Sequence, residues 1–312
     1  MQAVLNSALP IFALILTGFI CGYFGVFDRV ATDNLNRFAV YLALPSLMFV
    51  AMSKITPDQV RQFGFVGAFC GGFAASFAVA FAISRLRGRR VANASIEGLD
   101  AGYSNVGFMG IPMCLLVFGP ESAPASIIAT LFTACILFLF AVVVVEIDLQ
   151  KDGSFWTTCG KVTWALVRSP LLIAPFAGLA VGLSGIKLPE PFLNFTSLLG
   201  GAASPAALIC IGLFLAQERV VTADATSIGI LVSLKLILQP AITALLAFYV
   251  FKMPPLWSHS AVILSALPIG SGPFTIAKLY GLEAGVTSGS ILASHVFGVI
   301  TVSLLVAWLA QI

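Results

Sequence analysis

The chain has 312 residues, 59% of them hydrophobic and only 9% charged, with a net charge of +3. Soluble domains carry about 25% charged residues, so this composition excludes a soluble enzyme and requires an all-α polytopic membrane protein. No basic run is interleaved with aromatics, which excludes a nucleic-acid binder, and the six cysteines stand singly, mostly in apolar segments, five or six of them as small core hydrophobes rather than metal ligands.

A membrane span needs about 20 apolar residues. Ten stretches qualify: 5–25, 36–54, 63–84, 97–118, 125–146, 163–184, 193–216, 226–250, 258–279 and 285–309. The first lacks a charged n-region and a cleavage site, so it reads as a retained span. The second contains Pro45 followed by Ser46, a kink that either shapes a cavity wall or only adjusts packing. The third ends in Arg85, Arg87, Arg89 and Arg90, the strongest charge signal in the chain. Placing that loop in the cytoplasm puts Arg29, Arg37, Lys151, Lys161, Arg168 and Arg219 on the same side and leaves only Lys54, Arg61, Lys187 and Lys252 opposite. Both termini then face outward.

The fourth span is interrupted by G-Y-S-N-V-G-F-M-G-I-P, Gly102 to Pro112, and the ninth by L-P-I-G-S-G-P-F, Leu267 to Phe274. Non-helical backbone at membrane depth persists only where protein or a water-filled cavity satisfies it. A matched pair, one per half, points to a transporter's substrate site. The competing reading is a pair of kinked, packed helices. Pro112 and Pro273 remove backbone donors, while Gly107, Gly110, Gly270 and Gly272 let a ligand approach the backbone. Ser104, Asn105, Ser265 and Ser271 offer hydrogen bonds to a ligand or to freed peptide groups. Half-helix N-termini at such a crossing bind carboxylates without a buried cation.

Ionisable groups inside spans are expensive and so informative. Lys235, in the middle of the eighth span, either attracts an anionic substrate or responds to coupling. His295 is either a proton-coupling group or a hydrogen-bonded core histidine. Asp100, entering the fourth span, is the best-placed acid for cation or proton coupling. Lys54 and Lys278 snorkel from span ends, and Glu121 and Glu283 are charges at helix starts. With no H-E-x-x-H, P-loop or C-x-x-C motif and no nucleophile–base pair, catalysis, metal and cofactor have no support.

Sliding the chain against itself by 160 residues brings Pro10, Gly18, Gly22 and Gly25 onto Pro170, Gly178, Gly182 and Gly185, and Pro45 onto Pro205. Residues 1–150 (spans one to five) and 151–312 (spans six to ten) therefore read as a duplicated unit. Five spans per unit turns the second copy over, giving a 5+5 inverted repeat whose broken helices, four and nine, cross at the midplane.

Y-L-A-L-P-S-L-M-F (41–49), S-N-V-G-F-M-G-I-P (104–112) and L-P-I-G-S-G-P-F (267–274) together resemble the auxin efflux carrier family, along the whole chain. The short loops look like the bacterial branch, and most like its malonate and dicarboxylate carriers. The resemblance implies a scaffold of spans one, two, six and seven, often a homodimer contact. It implies a transport domain of spans three to five and eight to ten that moves as an elevator, with substrate at the crossover. The plant members' Asn-Pro-Asn is absent: Asn105 lacks a following proline, and the second break offers Gly270 and Ser271. The expected function is a bacterial inner-membrane secondary carrier of a small organic anion, malonate or a related dicarboxylate, with no cofactor beyond a proton or sodium gradient. The alternatives are a cation-coupled exchanger of the same fold and a membrane receptor or scaffold without flux.

Overall fold

In the computed structural model the described residues are 2–149, 160, 163–164, 167–217 and 224–309. The 150/151 repeat boundary, Lys151, Cys159, Lys161 and Arg219 lie outside them. The described chain is helical, with an isolated antiparallel bridge between Ser104 and Ile269.

In chain order the helices are α1 (Gln2–Tyr23), α2 (Arg29–Met52), α3 (Phe63–Leu86), α4 (Val91–Asp100), α5 (Val106–Phe118), α6 (Pro120–Leu149), α7 (Pro170–Ser184), α8 (Glu190–Gln217), α9 (Ala225–Val250), α10 (Pro255–Ala266), α11 (Gly272–Tyr280) and α12 (Gly285–Leu309). Six are long and apolar enough to cross a membrane, counting α3 with the turn Pro57–Val60 before it. Large apolar side chains such as Phe24, Leu86, Leu198, Tyr249 and Leu304 are exposed. That surface suits lipid. Helix α2 starts at Arg29, earlier than residue 36, because its first ten residues are amphipathic and an apolar window misses them. Asp28 fixes that start by accepting the Ala31 N–H at 2.7 Å.

Prolines shape these helices through a recurring device. Pro45, Pro112 and Pro240 each stand two residues beyond a π-helical turn: Ala39–Ala43, Val106–Gly110 and Leu234–Leu238. A proline ring collides with the carbonyl four residues back and has no N–H to offer it. Widening the preceding turn moves that carbonyl aside and keeps the helix running.

The helices group into two compact units. The first comprises Met1–Phe63, Gly107–Ile128 and Leu166–Glu218. Its strongest pairings are α1 with the second half of α8, and α7 with the second half of α2. Both close on glycine. A Cβ on Gly18 would meet the Ile209 carbonyl, and one on Gly178 would meet the Phe49 carbonyl. Gly22 lies against Leu213 and Ala216, and Gly182 against Met52 and Ser53. Residues 18 and 178 differ by 160, and so do 49 and 209. The first helix of each half thus packs on the second helix of the other half through equivalent positions. Small residues are what let membrane helices approach this closely.

The second unit comprises Gly64–Val106, Ala129–Ala165 and Arg219–Ile312. Its core joins α3, α4, α6 and α11 through Phe73, Ile96, Leu99, Val142, Ile276 and Tyr280. Phe65 and Trp257 meet edge to face between α3 and α10. The arginines after α3 are tied within this unit: Arg87 Nη1 donates to Ser227 Oγ at 2.9 Å, and Arg89 and Arg90 pair with Glu97 and Asp148 at 3.8 and 3.7 Å.

The glycine contacts give a direct test. Gly18→Val and Gly178→Val each force carbonyl and side chain apart and lower stability by about 1–3 kcal/mol, to similar extents, read as thermal unfolding in detergent. Gly229→Ala, with nothing within 4 Å of the added carbon, leaves melting unchanged or raises it. Equal melting of all three variants removes the close-packing account.

Candidate functional site

The site is built where the two interrupted helices meet. Helix α4 ends at Asp100 and α10 at Ala266. Pro268 holds Leu267 extended, at φ −62° and ψ 152°, so α10 cannot continue. The two stretches of non-helical backbone then satisfy one another. The Asn105 N–H donates to the Pro268 carbonyl and the Gly270 N–H to the Tyr103 carbonyl, each at 2.9 Å, around the Ser104–Ile269 bridge. The Ile269 N–H donates to Ser294 Oγ on α12 at 3.0 Å.

Helix ends also leave carbonyls without intrahelical donors, and α9 supplies two side chains to them. Gln239 Nε2 donates to the Gly102 carbonyl at 2.8 Å, just past the end of α4. Lys235 Nζ donates to the Ser265 carbonyl at 2.6 Å, at the end of α10, and Ser104 Oγ reaches the same oxygen at 3.4 Å. Lys235 and Gln239 are four residues apart and therefore share a face. Both are fully buried. A cation at a helix C-terminus is favourable, so Lys235 is held against backbone rather than against an acidic side chain.

Beyond the bridge each chain restarts as a helix. Asn105 precedes α5 and Ser271 precedes α11, so these two residues occupy matching places before the half-helix N-termini. Asn105 is half-buried, and its Nδ2 lies 3.4 Å from His295 Nε2. His295 Nδ1 lies 2.8 Å from the Ile291 carbonyl. A carbonyl only accepts, so Nδ1 carries the hydrogen and Nε2 accepts from the Asn105 amide. Ser271 is exposed, and its hydroxyl makes no capping bond to α11. Gly270 and Gly272 are packed under the Tyr103 ring, which takes the space a Cβ would need. Close approach of the Tyr103 ring is one reason these two positions are glycine.

Of the residues singled out in the sequence, Ser104, Asn105, Gly270, Ser271, Gly272, Pro273, Lys235, His295 and Asp100 fall in the second unit. Pro45, Ser46, Gly107, Gly110 and Pro112 fall in the first. There Pro45, Gly110 and Pro112 are buried, and Ser46 and Gly107 are half-buried. Lys54 and Glu121 line one cavity of about 630 Å³ in that unit, with Thr56, Gln59 and Ser197. Lys278 lies 5.3 Å from the Phe274 ring centroid, consistent with a structural role. Sequence reasoning passed over Tyr103, Gln239, Ser294 and Thr287. Gln239, a polar residue four positions after a mid-span lysine, was the one with a readable signal.

The membrane transport protein family model matches residues 3–306. The chain belongs to that family. Three relatives match along nearly the whole transporter. The "Putative malonate transporter" of Rhizobium meliloti (strain 1021) is 29% identical over 97% of this chain and 95% of its own length. The "Probable auxin efflux carrier component 5a" of Oryza sativa subsp. japonica is 25% identical over 93% and 92%. An uncharacterized transporter of Escherichia coli (strain K12) is 22% identical over 96% of each. The protein is a multi-pass membrane transporter of the auxin efflux carrier family and not an enzyme.

If α9 secures the breaks of this transporter, Gln239→Leu and Lys235→Met each leave a buried carbonyl without its donor. Each variant loses about 1–3 kcal/mol of stability, measured as a lower melting temperature of purified protein in detergent. Melting unchanged in both removes capping as their role.

Proposed function

We propose that the transporter is a secondary carrier of a small organic anion, malonate or a related dicarboxylate. The observation that carries the reading is the pair of restarted helices beyond the Ser104–Ile269 bridge, each opening behind a small polar residue, Asn105 or Ser271. First-turn N–H groups have no intrahelical acceptor and carry partial positive charge. A helix start of this kind suits a carboxylate. Lys235, donating to the Ser265 carbonyl at the end of α10, fixes the backbone behind the crossing. The malonate transporter named among the relatives supports the same choice.

In this reading the chain forms ten spans as a 5+5 inverted repeat in an inner membrane, with both termini outward. Spans three to five and eight to ten carry substrate as a transport domain. Spans one, two, six and seven form the scaffold and a homodimer contact. The reciprocal contacts of Gly18 and Gly178 support the duplication. Asn105 and Ser271 differ in length and donor number, so this asymmetric pair sets which anion fits.

Purified protein in liposomes is expected to take up labelled malonate or a related dicarboxylate, and Asn105→Ala to lose at least about tenfold in uptake, the order expected for one charged hydrogen bond, with normal membrane expression. No dicarboxylate flux under any ion gradient, alongside an active control carrier, would falsify the anion reading. Unchanged uptake by Asn105→Ala removes that residue from the site.

A further inference from the structure

Asp100 is the last residue of α4 and is completely buried. Thr287 of α12 donates its hydroxyl to Oδ2 at 2.8 Å, while Oδ1 has no partner among the described residues. The hydroxyl of Ser290, one turn further along α12, is likewise buried without a partner. Ala101 beside the carboxyl packs with Ala80 of α3 and Leu231 of α9, so the setting is apolar on those sides. An unpaired carboxylate in such a place is strongly disfavoured and needs a neutralising partner.

The charged groups around it are committed elsewhere. Lys235 of α9 donates to Ser265, Arg87 to Ser227, and Arg89 pairs with Glu97, one turn before Asp100 on α4. Asp224, at the head of α9, accepts from the Ser227 hydroxyl at 2.6 Å and from backbone N–H groups, which holds its carboxyl below the usual range. Helix α3 brings the hydroxyls of Ser76 and Ser84 and, in its last turn, Arg85, which donates to the Arg89 carbonyl, and α12 brings His295, turned to Ile291 and Asn105.

Thr287 also forms part of the wall of a cavity of about 350 Å³, which Arg89, Asn93, Glu97, Asp224 and Glu283 line as well. Three carboxylates face Arg89, with Arg87 acting on Asp224 from beside the cavity, which leaves the cavity a net negative balance that draws cations. It lies on the side of the unit that carries the arginine loop. Calcium and magnesium are held by six or more oxygens. One carboxylate and two hydroxyls fall short of that shell, whereas a proton needs a single oxygen.

We propose that Asp100 is the proton-carrying group of this transporter, loaded and unloaded through the acidic cavity beside Thr287. The proton adds to Oδ1 and leaves it again, Glu97 or Glu283 serving as relay, and the transported anion is chemically unchanged. A neutral Asp100 allows the apolar packing around Ala101 to close. An ionised one keeps the cavity hydrated. This inference rests on the carrier reading above for its transport consequence, but proton binding at Asp100 stands apart from substrate identity.

The test uses purified wild type and Asp100→Asn, whose amide mimics the protonated carboxyl in shape and charge. In proteoliposomes, wild type is expected to accumulate labelled malonate under an imposed pH gradient with sodium absent. Asp100→Asn is expected to lose that accumulation while retaining malonate–malonate exchange at equal pH. Thr287→Val removes the bond that favours the ionised form, so the pH midpoint of gradient-driven uptake moves upward. Infrared difference titration without substrate should show a carboxyl C=O band in wild type that is missing in Asp100→Asn. Gradient-driven accumulation by Asp100→Asn equal to wild type, accumulation that follows sodium instead, or an identical infrared titration overturns the proposal. Where neither protein exchanges malonate, the substrate reading fails and the infrared arm still decides the proton.

Discussion

The backbone pairing of Tyr103–Asn105 with Pro268–Gly270 is the constraint on which the rest of the second unit depends. Each break exposes peptide groups that lipid cannot satisfy. Two breaks facing one another in antiparallel register satisfy part of that demand together. What the pairing leaves over explains otherwise unrelated residues. Lys235 and Gln239 serve the leftover carbonyls, Ser294 serves the Ile269 N–H, and Gly270 and Gly272 are small because the Tyr103 ring must lie over the crossing. Remove the pairing, and each of these residues loses its reason to be where it is.

That arrangement also frees the helix starts for function. The C-terminal ends of α4 and α10 are occupied by protein donors, so their negative potential is quenched from within. The N-terminal starts are preceded by Asn105 and Ser271, whose side chains are not spent on capping. The helix starts therefore keep their partial positive charge and their free first-turn N–H groups. Asp100 lies on the other side of the same break, at the end of α4, with its own hydroxyl partner and its own acidic cavity. A single interruption thus separates a helix start behind Asn105 from the buried carboxyl of Asp100 by a few residues of chain.

Much of this was legible in the sequence, and particular residues show why. Gly, Pro and Ser inside 20-residue apolar stretches are conspicuous because membrane helices otherwise draw on few residue types, so both breaks stood out. The 160-residue register stood out because Gly18, Gly22, Gly178 and Gly182 sit at helix contacts where even one carbon collides with backbone. Lys235 was visible as a charge, but its partner was not. A carbonyl in another helix carries no sequence signature, and Lys235 reaches Ser265 from thirty residues away. Gly270 and Gly272 read as room for backbone approach, but that Tyr103 packs against both, from 167 or more residues earlier in the chain, carried no signal.

The sequence by itself determined the membrane class and the two interruptions. These follow from local composition and from steric rules that act within a few residues. Only the tertiary structure decided that the breaks pair by backbone, that α9 caps them, that His295 orients Asn105, and that Asp100 is buried against Thr287 beside an acidic cavity. Those outcomes depend on hydrogen-bond geometry between segments far apart in the chain. Such geometry is fixed only once the helices have packed closely enough for each unsatisfied peptide group to find a partner.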